Sequence, residues 1–194
     1  MVPSLCESVA RQARQHCASR GYVSGPNWNP LEPHDPVSAL AMARFLIGSG
    51  WFDHYLAVAP EGHAYGFFFE RLGVPVHEVF VDYPPREVTR ADDLPAVAGK
   101  RVLLIEDDLV SGTSLRLLVA ALQPHGPASV ALYLGRRADS QFPENAPPPI
   151  TSIYLAETHL NPAHRAEDEA DFLRVFAENA TSTDNSWKNE RASS

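Results

Sequence analysis

The sequence predicts an α/β domain built on a doubly wound, mainly parallel sheet of four to six strands. Three observations carry this expectation. Short apolar runs at 55–59, 102–105 and 129–134 have the length and continuity of strands buried on both faces. Stretches with helical spacing of apolar residues alternate with them along the chain. One of the strands, beginning at Arg101, passes through a turn of small residues straight into a helical pattern at Leu115, Leu117, Leu118, Val119 and Leu122.

Residues 5–19 keep helical spacing up to Gly21, with Arg11, Arg14 and Arg20 on a solvated face. Residues 22–36 form a loop rich in Pro, Gly and Asn that holds Trp28, His34 and Asp35; its tryptophan either covers a ligand or pins the loop to the body. Asp35-Pro36 opens a helix, with Asp as N-cap and Pro in the first turn. Val37, Leu40, Ala41, Phe45 and Leu46 supply its apolar positions, and Gly48 and Gly50 end it. After the strand at 55–59, the turn 60–64 leads into a helix at 65–72 capped by Gly73, and 74–83 follows as a strand, closing a βαβ unit. Residues 84–98 read as a polar surface loop, and Gly99-Lys100-Arg101 starts the central strand. Beyond the strand at 129–134 come Gly135-Arg136-Arg137-Ala138-Asp139 and a loop with Pro143 and Pro147 to Pro149. A last strand is expected at 150–156, then an acidic helix at 162–177 whose apolar face is Phe172, Leu173, Val175 and Phe176. From 178 to 194 the chain is polar and aperiodic, and a disordered tail is expected. The reading is therefore one domain over 1–177, with its core at about 35–160.

The chemistry concentrates in Val102-Leu103-Leu104-Ile105-Glu106-Asp107-Asp108-Leu109-Val110-Ser111-Gly112-Thr113-Ser114. A strand, a small-residue turn and a helix in this order bring backbone N–H groups and a helix N-terminus to one point, which suits a phosphate. Hydroxyls of Ser111, Thr113 and Ser114 add donors to the same concavity. Carboxylates at the strand end suit sugar hydroxyls and a bridging Mg²⁺. The stretch reads as a cup for a phosphorylated sugar.

At these residues the chain resembles the type I phosphoribosyltransferases, whose phosphoribosyl-pyrophosphate motif has four apolar residues, two acids, two further residues and a Thr/Ser/Gly-rich loop. The likeness runs over about 50–137. It implies a doubly wound sheet with a small hood, formed by the N-terminal segment and by 135–160. It also implies a Mg²⁺-dependent transfer of the phosphoribosyl group to a nitrogenous acceptor, with pyrophosphate leaving. By resemblance, Glu106 and Asp107 hold the ribose hydroxyls and the metal and are the residues turnover depends on. Asp108 lies beside them, and Val110, Ser111, Gly112, Thr113 and Ser114 hold the 5′-phosphate. Pro60, Glu61, Gly62 and His63 fall on the pyrophosphate loop, with Gly62 allowing close backbone approach and His63 lending partial positive charge. Arg86 or Arg90 would reach pyrophosphate from a closing loop, and Arg136 and Arg137 would meet the acceptor base; plain solvated charges are the alternative for these arginines. Three positions depart from the pattern. Asp108 replaces an apolar residue, Val110 stands where purine-salvage members carry Asp, and Glu61 stands where Arg or Lys is usual. Glu61 is expected to point outward, since backbone amides alone can hold a Mg²⁺-bound diphosphate. These departures keep open a second reading, a non-catalytic sensor of phosphoribosyl or nucleotide ligands on the same fold.

Composition sets the bounds. The chain has 194 residues, 44% of them hydrophobic, enough for one full core. Sixteen basic against 24 acidic side chains give a net charge of −8, which argues against a nucleic-acid binder that relies on clustered cations. No apolar run is long enough to span a membrane, and the N-terminus lacks a signal-peptide pattern. Cys6 and Cys17 fall in one expected helix, about 16 Å of rise apart, too far to bridge. Two isolated thiols suggest a reducing cytoplasm. The expected partners are small molecules, phosphoribosyl pyrophosphate and an unidentified acceptor, without nucleic acid or membrane; a homodimer is compatible with this reading. No internal repeat, zinc-spaced Cys/His set or Ser-His-Asp order is found.

Overall fold

The structure, a computed structural model, describes residues 2–22, 35–59, 61–82, 87–89, 96–135, 149–156 and 163–182. Its elements are α1 (Val2–Ser19), α2 (Pro36–Gly48), β1 (His54–Ala59), α3 (Glu61–Arg71), β2 (Val76–Asp82), β3 (Glu87–Thr89), β4 (Arg101–Glu106), α4 (Thr113–Leu122), β5 (Ser129–Leu134), β6 (Ile150–Leu155) and α5 (Arg165–Ser182). The strands form one six-stranded sheet in the order β3-β2-β1-β4-β5-β6. All neighbouring pairs are parallel except β2 with β3, so five strands run together and a short antiparallel strand closes one edge. The doubly wound, mainly parallel sheet is as the sequence predicts. From β1 the chain winds outward to β2, and from β4 it winds the other way to β5. The direction thus reverses between the neighbours β1 and β4, and the crevice outside their carboxyl ends is where such sheets bind ligands.

Alternation along the central strands sorts the core into two layers. Tyr55 and Ala57 of β1, Leu103 and Ile105 of β4, and Ala131 and Tyr133 of β5 face one side, where α1, α2, α3 and α5 pack. Leu56 and Val58, Val102 and Leu104, and Val130, Leu132 and Leu134 face the other, against Leu115, Leu118, Val119 and Leu122 of α4. At the start of β4, the Arg101 guanidinium grips both oxygens of Asp53, at 2.9 and 3.0 Å, tying this strand to the entry of β1. Asp35 caps α2 as expected, accepting from the Val37 N–H at 3.2 Å. It also pairs with Arg165, a bond between α2 and α5 that no local pattern foretold.

Four expectations are corrected. The helix after β1 begins at Glu61 rather than Tyr65, because Ala64, Tyr65, Phe67 and Phe68 already form a buried face that continues through the first turn. A strand, β3, lies inside the stretch read as surface loop; its Val88 rests against the α4-side core and pairs with Val81. Within the N-terminal segment, α1 joins the body rather than a hood, with Val9, Ala13 and Cys17 fully buried, while 23–34 lie outside the described residues. Finally, α5 runs on to Ser182, past the expected limit at Ala177.

Candidate functional site

β4 ends at Glu106, and α4 begins at Thr113. The connection between them, with Glu61 from the start of α3, walls a cavity of about 400 Å³. Its lining is Glu61 and the continuous run Glu106, Asp107, Asp108, Leu109, Val110, Ser111, Gly112, Thr113, Ser114 and Leu115. The run can turn back on itself because Gly112 takes the left-handed conformation, φ 67°, as N-cap of α4. The cap residue is a glycine with no side chain to accept from the first amides, so the helix N-terminus borders the cavity with only the neighbouring Ser111 hydroxyl turned to it. Local bonds hold the turn. The Ser111 and Thr113 hydroxyls lie 3.0 Å apart, and the Thr113 N–H donates to Ser111 Oγ at 3.3 Å. On the acidic side the Asp107 N–H donates to Glu106 Oε1 at 3.2 Å, and the Asp108 N–H to Asp107 Oδ1 at 2.7 Å. Leu109 is buried in the α4-side core and anchors the loop, while the neighbouring Val110 is exposed.

Four carboxyl groups share the cavity, and no Lys, Arg or His is among its described lining residues. Burial raises the Glu106 carboxyl well above its ordinary value, and the adjoining Asp107 charge pushes it further. Burial also raises Glu61, with Asp107 and Asp108 adding to the shift. Such a wall favours cations and hydroxyl donors. Among the described residues, no three His, Cys, Asp or Glu side chains close around a metal by themselves. Mg²⁺ takes one or two carboxylates and completes its shell with water and substrate phosphate. Hard oxygen donors at Glu106 and Asp107 therefore fit the ion.

The turn after β1 differs from its expected form. Glu61 is exposed, as an outward residue would be, yet it also borders the open cavity, near enough for the charges of Asp107 and Asp108 to raise its carboxyl. Gly62 sits in α3, and a Cβ there would come within 2.3 Å of the Ile105 carbonyl oxygen, so this glycine lets α3 press against the end of β4. His63 turns away from the cavity. Its fully buried ring stacks on His16 of α1 at 4.4 Å and lies 3.5 Å from Glu78 of β2. Burial, with the charges of His16 and Arg20, lowers His63 to about 3, so it is neutral and offers no positive charge to an anion. Pro60, Arg86, Arg90, Arg136 and Arg137 lie outside the described residues. One residue beside the site escaped the sequence reading. Arg116, in the first turn of α4, donates to the Ser111 carbonyl at 2.6 Å and to Thr113 Oγ1 at 3.3 Å. Helical spacing of three residues from Thr113 was the available signal.

No protein-family model and no curated protein matches this chain. Among solved structures it is similar to a hypothetical protein from Neisseria gonorrhoeae with bound ppGpp, at 16% identity and TM-score 0.45, covering 69% of this chain and 90% of that one. It is similar to a purine phosphoribosyltransferase from Pyrococcus horikoshii Ot3, at 15% identity and TM-score 0.45, covering 61% and 78%. A hypoxanthine-guanine phosphoribosyltransferase (hpt-2) from Bacillus anthracis str. 'Ames Ancestor' is similar at 15% identity and TM-score 0.44, covering 61% and 75%. At these identities and TM-scores the likenesses decide nothing about activity, and the fold stands on the chain's own strand order and winding.

Proposed function

We propose that this chain binds a 5-phosphoribosyl ligand and acts as a Mg²⁺-dependent phosphoribosyltransferase, moving the phosphoribosyl group from phosphoribosyl pyrophosphate to a nitrogenous acceptor. The observation that carries the reading is the meeting, in one cavity, of a carboxylate pair at a buried strand end and a glycine-capped helix N-terminus ringed by hydroxyls. The turn 111–114 and the first amides of α4 receive the 5′-phosphate. Glu106 and Asp107 accept hydrogen bonds from the ribose hydroxyls, fixing the ring so that C1 faces the open side of the cavity. When bound, Mg²⁺ supplies charge neutralisation of the departing pyrophosphate. The buried free thiol of Cys17 goes with a reducing, cytoplasmic setting.

A second reading, a non-catalytic sensor of phosphoribosyl or nucleotide ligands, is favoured by Glu61 at the edge of the cavity, where a carboxylate stands in place of a cation that would attract a diphosphate. Product separates the two. With Mg²⁺ and phosphoribosyl pyrophosphate, screened against purines, pyrimidines and small aromatic amines, a transferase releases pyrophosphate. Tight ribose 5-phosphate binding with no pyrophosphate released across the panel would leave the sensor. If ribose 5-phosphate, phosphoribosyl pyrophosphate and a panel of nucleotides all fail to bind, both readings fail.

A further inference from the structure

Arg116 stands where a helix least favours a cation. The aligned peptide dipoles of α4 make its first turn electropositive, and no acidic side chain lies in that turn to offset the charge. Among the described residues no carboxylate pairs with the guanidinium; its side-chain bonds go to the Ser111 carbonyl and to Thr113 Oγ1. The Thr113 oxygen in turn lies 3.0 Å from Ser111 Oγ, and both residues line the cavity. By distance alone either hydroxyl donates to the other. A guanidinium on Thr113 Oγ1 selects the direction, because an oxygen drawn toward a cation becomes a stronger donor through its own hydrogen. With Thr113 donating to Ser111, the Ser111 hydrogen is left for the cavity.

Resting on the reading of this turn as a phosphate cup, we infer that Arg116 is a positioning residue that delivers positive charge to a bound phosphate through the hydroxyls of Thr113 and Ser111. The order of donation is Arg116 guanidinium, Thr113 hydroxyl, Ser111 hydroxyl, phosphate oxygen. In a cavity walled by four carboxyl groups, this relay supplies a cationic end to the described lining. Two consequences follow for the ligand: it carries a phosphate, and the gain from that phosphate depends on both hydroxyls as well as on the arginine.

The test is a double-mutant cycle read by titration calorimetry with ribose 5-phosphate as probe, with thermal midpoints measured in parallel. Arg116 is exposed, so its variants should keep the fold, which the thermal midpoints check. Arg116→Ala should weaken ribose 5-phosphate by roughly 10- to 100-fold, the range for losing a charge-assisted hydrogen bond. Arg116→Lys should recover part of that loss, since the charge stays while the planar fork goes. In a Ser111→Ala background, Arg116→Ala should have little further effect, because the relay is already cut. Additive losses in the cycle, or an Arg116→Ala loss that lysine does not relieve at all, overturn the relay. Wild-type protein that binds ribose 5-phosphate, with Arg116→Ala binding equally well, sinks this inference alone and leaves the cup in place. A wild type that binds no ribose 5-phosphate removes the cup and the relay together.

Discussion

Asp107 carries two tasks at one carboxylate, since an oxygen accepts the Asp108 N–H while the group faces the cavity. Asp107→Asn keeps the shape and removes the charge. Hydrogen bonds to charged groups contribute about 1.5–3 kcal/mol, so ribose 5-phosphate affinity should fall roughly 10- to 150-fold in calorimetry, with turnover largely lost. Unchanged affinity in a folded variant would remove the sugar-site assignment. Glu61 makes the opposite case, a charge whose removal should help an anion. Unit charges about 4 Å apart interact by roughly 1 kcal/mol in water and about 4 at an effective dielectric of 20. Glu61→Lys should therefore tighten pyrophosphate by about tenfold or more at low salt, with the gain shrinking as ionic strength rises. A salt-independent affinity, equal in both proteins, would mean that Glu61 does not oppose the diphosphate. The direction of this side chain was illegible in the sequence. Pro60-Glu61-Gly62 reads as a turn, and only the buried run from Ala64 to Phe69 draws the helix start back to Glu61 and so sets it at the cavity's edge.

At the scale of elements, the seam between α3 and β4 fixes the site's shape. Gly62→Ala places a Cβ against a backbone oxygen, which cannot swing aside as a side chain would. The variant should lose roughly 1–3 kcal/mol by overpacking, despite the roughly 1 kcal/mol that Ala gains over Gly within a helix. Gly66→Ala is the milder case, since its Cβ meets the Ala57 Cβ and Val76 Cγ1 at 3.2 Å each, a tight contact that needs a shift of tenths of an ångström, against the 2.3 Å clash at Gly62. Urea midpoints should fall clearly for Gly62→Ala and less for Gly66→Ala; equal values would show that the seam yields. The elements were legible where one local rule decided them. The apolar runs gave β1, β4 and β5, Asp35-Pro36 gave the start of α2, and the acids followed by small residues gave the loop into α4. What stayed hidden depends on partners distant in sequence. β3 exists because it pairs with β2, α1 joins the body because it meets α3, and His63 becomes a core residue because His16 stacks on it.

For the whole molecule, that histidine stack sets how stability varies with acidity. His16 is held at about 4 by burial and the nearby Arg20 and Arg71, although Glu70 lies 3.2 Å from its ring; His63 is held at about 3. Both fall below the ordinary value of 6.5, so the unfolded chain takes up protons first as pH drops. Stability from this pair is fully present above about pH 6.5 and is lost as pH falls toward 4, at up to about 1.4 kcal/mol per unit for each ring. Urea unfolding at pH 7 and pH 5 should show the drop, and a His16→Gln, His63→Gln variant should flatten it; an unchanged slope would assign the acid sensitivity to carboxylates. The central position of β4 has a different consequence, visible in deuterium. β4 is paired on both edges and covered on both faces, so its amides should exchange only when the whole molecule opens. Beyond Glu106 the chain leaves the sheet, and its amides should label far sooner. The candidate site thus begins at a step in labelling rate between 106 and 108. A phosphorylated ligand should slow labelling on the far side of that step, at 111–115, and leave the strand unchanged. Uniform labelling across the step, with or without ribose 5-phosphate, would place the ligand's grip elsewhere in the chain.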